Sequence, residues 1–146
     1  MELIYNDADV ISGLQRLRDK VGNIRPALAE IGEVMTESTK HRFETTTGPD
    51  GGLWTANSPV TLDNKSGSKP LTGETGTLMQ SIHFQLDGEF AVEIGSNKVQ
   101  AAMMQFGGTK AEFPHLWGDI PAREYLGVSN QDKVVILGII ERHLNF

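Results

Sequence analysis

The chain contains no cysteine. Disulfides and thiolate metal sites are therefore excluded, and so is a thiol nucleophile. It has no long apolar run either. The longest, Val134 to Ile140, is about a third of the roughly 20 residues a membrane helix needs. The first residues, Met-Glu-Leu-Ile-Tyr-Asn-Asp, lack the basic and apolar regions of a signal peptide. Basic residues are outnumbered, 13 against 19 acidic, for a net charge of −6. They are scattered, so no cluster tracks a phosphate backbone and sequence-specific DNA binding is disfavoured. Aromatics make up only 7% of the chain, which singles out each large one that is present.

Motifs for catalysis are missing as well. The histidines are His41, His83, His115 and His143. No two have the spacing that sets a pair of ligands on one helix face. Thr-Gly-Glu-Thr-Gly at 72–76 lacks the Gly-Lys-Ser/Thr ending of a phosphate loop. No Gly-x-Ser-x-Gly elbow occurs. His115 and Asp119 lie near Arg123 in sequence, the only place where a small hydrolase or nuclease site is conceivable. The alternative there is a turn whose polar groups cap one another.

What is present is the pattern of a small α+β domain. At 146 residues the chain is long enough for one domain with a real core. Residues 2–5 suggest a short strand. Val10, Leu14, Leu17 and Val21 recur at helical spacing behind N-cap candidates Asn6, Asp7 and Asp9, and Gly22-Asn23 ends that helix. A second helix is expected with Asn23 as cap and Pro26 in its first turn. Its apolar side carries Leu28, Ile31, Met35 and Thr39, with Ile24 and Phe43 at the edges. Glu30, Glu33, Glu37 and Glu44 form an acidic stripe opposite, turned either to solvent or to a lumen. A long Gly/Pro-rich loop follows at about 45–77, expected to be mobile, with Trp54 inside it. Trp54 either pins the loop to the core or anchors a neighbouring subunit.

Leu78 to Ile82 suggests one helical turn. Alternating Ile82, Phe84, Leu86 and Phe90, Val92, Ile94 around Asp87-Gly88 predict a β-hairpin. Val99 to Phe106 reads as a short helix stopped by Gly107-Gly108. Glu124 to Val128 suggests a strand. Ser129 and Asp132 have capping-box spacing and open a last helix running to about Leu144. The segment Val134-Val-Ile-Leu-Gly-Ile-Ile is apolar all round, so it should be buried on more than one side, one of them a possible subunit contact. A strand remains open for it, because β-branched residues dominate.

The remaining motifs carry a resemblance. Gly52-x-Trp54 is followed by Ser58-Pro-x-Thr61-Leu62 and Lys65, then Leu71, Thr72-Gly73, Leu78 and Ser81-Ile82. After the hairpin come Gln105-Phe-Gly and Pro121-Ala-Arg-x-Tyr-Leu-Gly. In order and spacing this resembles the phage virion morphogenesis family, the tail-completion proteins of P2-like and Mu-like phages. The likeness covers the chain from Leu14 to Leu144. The sequence departs from the pattern where Glu74-Thr75-Gly76 intervenes, so Thr75-Gly76-Thr77-Leu78 is an alternative register. Ala101-Ala102-Met103-Met104 also stands where a Tyr-Ala and a His often precede the Gln-Phe-Gly turn.

The resemblance implies a structural, non-enzymatic protein with no cofactor or metal. It would complete the phage tail and ready its head-proximal end for joining to the capsid. Its partners would be copies of itself, as a ring, and tail or connector proteins, with no nucleic-acid specificity and no membrane. It would be a virion component assembled in the host cytoplasm. Trp54, Phe113, Trp117, Arg123 and Tyr125 are the candidate subunit or partner anchors, being large aromatics and an arginine. For Arg123 two readings stand: a clasp between subunits, or a pair with a carboxylate inside one.

Overall fold

In the computed structural model, residues 4–56, 77–98, 100–114 and 119–145 are described. They form five helices and one two-stranded antiparallel sheet, an α+β arrangement.

Helix α1 spans Ala8–Val21. Asp7 caps it, its Oδ1 accepting from the backbone N–H of Asp9 at 2.9 Å and Val10 at 3.2 Å. Helix α2 spans Arg25–Thr45, with Pro26 in its first turn. Its cap position is Ile24, one residue later than the Asn23 expected from sequence. The Asn23 side chain still serves the helix, because its Oδ1 accepts from Arg25 N–H at 3.1 Å. Helix α3 is the single turn Thr77–Ser81. Strands β1 (His83–Asp87) and β2 (Ala91–Gly95) pair Phe84 with Ile94 and Leu86 with Val92. These four half-buried side chains share the inner face. Helix α4 spans Ala101–Phe106 and α5 spans Asn130–Leu144. The strand alternative for Val134–Ile140 is thereby settled in favour of helix.

Polar ties fix the helix directions. Lys133, near the start of α5, reaches Asp7 at 2.9 Å and Asp9 at 3.2 Å. At the other end Lys20 donates to the Leu144 carbonyl. Helices α1 and α5 therefore run parallel. Ser38 meets Asp132, and Glu30 meets Arg142, so α2 runs antiparallel to α5.

Three apolar clusters fill the interior. Val10, Ile31, Met35, Ile136, Ile139 and Ile140 join α1, α2 and α5. Leu17, Ile24, Ala27 and Leu28 close the α1–α2 corner. Phe43, Trp54, Leu78, Ile82, Ala101 and Tyr125 gather the rest of the chain around the end of α2. The Val, Leu, Ile, Phe and Met side chains among them contribute about 1.5–3 kcal/mol each when fully buried. The hairpin crosses α2 at Gly32, where a Cβ would meet the Phe84 ring at 2.5 Å.

Several expectations are corrected. Ile4 and Tyr5 are not in a strand. Glu124–Val128 is not a strand either, for a reason given below. Phe90 falls in the hairpin turn, 56% exposed, with the Arg18 guanidinium 5.3 Å from its ring centre. The α5 apolar segment buries Ile136, Ile139 and Ile140 against α1 and α2 and leaves Val134 64% and Val135 38% exposed. Of the stretch expected as a loop at about 45–77, Thr45 belongs to α2 and Thr77 to α3. Residues 46–56 turn back on themselves through a Thr47–Leu53 bridge. Residues 57–76 lie outside the described residues.

Candidate functional site

The segment Pro121–Gly127 is the hub of the fold. It crosses from α4 to α5 without joining a sheet, yet its backbone is held at nearly every residue. Arg123 N–H donates to Met104 O at 2.9 Å. The Gln105 side chain then substitutes for a neighbouring strand. Its Oε1 accepts from Tyr125 N–H at 3.1 Å and Leu126 N–H at 3.0 Å, and its Nε2 donates to Leu126 O at 3.1 Å. This is why the predicted strand fails: a buried side chain, not a neighbouring strand, supplies the bonds to the backbone.

Arg42 grips the same segment from α2. Its Nη1 donates to Tyr125 O at 2.8 Å and to Gly127 O at 3.1 Å, and its Nη2 pairs with Asp132. Both side chains of the pair are buried. Asp132 also accepts from Ser38 Oγ at 2.6 Å and from Ser129 N–H at 3.0 Å, so it is part of the capping box of α5. Burial pushes the Arg42 guanidinium down, while Asp132 pushes it back up. A planar fork reaching two carbonyls and a carboxylate at once is geometry that lysine cannot reproduce.

The candidate anchors take their places around this hub. Tyr125 is fully buried, and its hydroxyl donates to Ala101 O at 2.7 Å. Burial raises its pKa to about 12. Trp54 is buried edge-on against Phe43, at 5.5 Å and 83°, and its Nε1 donates to Glu124 O at 2.9 Å. Trp54 therefore pins its turn to the core. Arg123 is buried too, its Nε donating to Thr55 O at 2.7 Å and its Nη2 to Ala56 O at 3.2 Å. Within the chain its partners are backbone carbonyls rather than the expected carboxylate, and burial lowers its pKa. Gly127 closes the hub with φ 152°, where Pro49 stands 2.6 Å from the site of a Cβ.

Other expected residues lie elsewhere. Phe113 sits in the 109–114 turn, 38% exposed, its ring beside Gly108. Trp117 and His115 lie outside the described residues. Asp119 is exposed and accepts from Lys110 N–H at 2.8 Å, a turn-capping role. Among the described residues no group of three His, Cys, Asp or Glu could hold a metal ion. Of the acidic stripe, Glu33, Glu37 and Glu44 are exposed. Glu30 leaves the stripe: it is half-buried and paired with Arg142 and with His143 at 2.9 Å. Hydrogen bonds from Arg142, then His143, hold its carboxyl below the usual range.

Sequence reasoning passed over Arg42 and Gln105 as site residues. Arg42 did leave a signal, since a charge between Thr39 and Phe43 interrupts an otherwise apolar helix face.

A model of the phage virion morphogenesis family matches residues 5–145. The chain belongs to that family. It is 29% identical to the "Putative capsid assembly protein G" of Escherichia phage Mu, over 99% of this chain and 97% of that protein. It is 30% identical to the Mu-like prophage FluMu G protein 2 of Haemophilus influenzae, over 94% of this chain and 91% of that one. No solved structure matches it significantly. The family assignment makes this a phage virion morphogenesis protein. Among the described residues no helix is long and apolar enough to cross a membrane.

Proposed function

We propose that this protein completes the phage tail and readies its head-proximal end for joining to the head, acting as a homo-oligomeric ring without catalysis. The observation that carries this is the family match over residues 5–145, joined by near full-length likeness to G proteins of Mu and a Mu-like prophage. The hub is consistent with it. Its buried arginines are engaged by backbone carbonyls and a capping carboxylate, which suits a stiff platform for docking more than a site for turnover. A ring asks each subunit for two complementary patches on a rigid body. The work is done in the host cytoplasm, against tail or connector proteins.

Deleting the gene in an inducible lysogen and imaging the lysate tests the proposal. Separate filled heads and tails, or overlong tails, are expected. Infectious particles at wild-type titre refute it.

A further inference from the structure

Two exposed features of the helical layer carry opposite charge beside apolar side chains. The first is a ridge. On α5, Asp132, Val135, Ile139 and Arg142 fall in one row at three- and four-residue spacing. The ends of that row touch Ser38 and Glu30 of α2. Val135 therefore lies over the α2–α5 seam, beside the more exposed Val134. Outboard of the seam, on α2, stand the exposed carboxylates Glu33 and Glu37. Neither has an ion-pair partner among the described residues.

The second feature is a groove of about 420 Å³ where the ends of α1 and α5 meet the start of α2. Leu17, Val21, Pro26 and Ala27 line it together with Arg142 and His143 at the end of α5, and Val21 is 37% exposed. Lys20 and Arg25 are the chain neighbours of its lining residues Val21 and Pro26; both are exposed, and among the described residues they bond to the backbone carbonyls of Leu144 and Gly88. Their positive charge therefore has no carboxylate to answer it among the described residues.

We infer that the Val134–Val135 ridge of one copy docks in the Leu17–Val21–Pro26 groove of a second copy, with Glu33 and Glu37 facing Lys20 and Arg25. The inference rests on the oligomeric reading above and gives that oligomer its contact. Apolar side chains at the centre supply the burial, and the opposed charges set register and partner choice. Two different patches meet, so the contact can repeat from subunit to subunit. On this reading Glu33 and Glu37 face a neighbour, not a lumen.

Charge exchange in the full chain tests it, read by native mass spectrometry and sedimentation. Glu33→Lys with Glu37→Lys makes both patches basic; Lys20→Glu with Arg25→Glu makes both acidic. Each double variant alone should lose self-association by ~10-fold or more, and mixing the two should restore it, because each then finds an opposite patch. Val134→Asp, at an exposed site that leaves the core untouched, should weaken association by a similar ~10-fold. Double variants that assemble like wild type, folded variants that fail to rescue each other, or a Val134→Asp chain that assembles normally overturn the contact while the oligomeric reading stands. A wild-type chain that is monomeric at every concentration overturns both.

Discussion

Arg42 is where a single substitution should do the most damage. Replacing it with methionine keeps an unbranched apolar stem and removes the guanidinium with its charge. Two hydrogen bonds from a charged donor to Tyr125 O and Gly127 O disappear. Asp132 loses its counter-ion but stays buried, held only by Ser38 and the Ser129 backbone. Breaking a buried pair from one side costs about 3–5 kcal/mol, because a charge is left without compensation. The two orphaned carbonyls point the same way, at about 1–3 kcal/mol for each buried group left unsatisfied. These are overlapping views of one loss, so ~4 kcal/mol is the expected total. Against a usual stability of about 5–15 kcal/mol this approaches unfolding. Urea titration followed by tryptophan fluorescence measures it, since Trp54 packs in the same cluster. Arg42→Lys should recover only part, for lack of the fork. Adding Asp132→Asn to Arg42→Met should return about 1–2 kcal/mol by removing the stranded charge. A cost under ~1 kcal/mol for Arg42→Met refutes the account of the hub as a polar clamp.

Gly32→Ala should destabilise the fold although alanine favours helix. The new methyl meets the Phe84 ring at 2.5 Å and its Cβ at 3.1 Å, so the hairpin itself must move. Overpacking of about 1–3 kcal/mol then outweighs the helix gain of about 1 kcal/mol. A raised midpoint in thermal melting refutes this. Tyr125, with its pKa raised to about 12, contributes stability that is full below the unfolded value of about 10 and lost as pH rises through the folded one. Tyr125→Phe should therefore cost about 1 kcal/mol at neutral pH, yet flatten the alkaline fall in stability between pH ~10 and ~12. An unchanged alkaline profile counts against it. Glu30 has a lowered pKa, so its contribution is present above the unfolded value of about 4.3 and fades as pH drops through the folded one. In Glu30→Gln the acid-side loss of stability should be smaller than in wild type, by denaturant midpoints across pH.

How much of this was legible in the chain depends on the reach of each signal. The start of α5 was readable because Ser129 and Asp132 make their bonds within one turn. The hairpin was readable because Asp87-Gly88 and the alternation on each side are local. The sequence suggests a strand at Tyr125, and the true partner of that run is not legible in it. That partner is a glutamine about 20 residues upstream, and no periodicity in the sequence points to a side chain acting as a strand. The sequence singles out Arg123 and Trp54 by residue type and leaves their role open between a tie within the subunit and a contact with a neighbour. Only the folded chain shows the carbonyls of Thr55, Ala56 and Glu124 beside them.

The amino-acid order alone determined where helices begin, where the hairpin turns, and which family the chain resembles, because caps, turns and motif order act over a few residues. Tertiary structure decided what each anchor touches. It drew Glu30 out of the acidic stripe to Arg142 and His143, buried Arg42 against Tyr125 and Gly127, and left Val134 in the open. The physical reason is that burial and charge pairing depend on distances between residues up to about a hundred positions apart, and those distances exist only once the helices have packed.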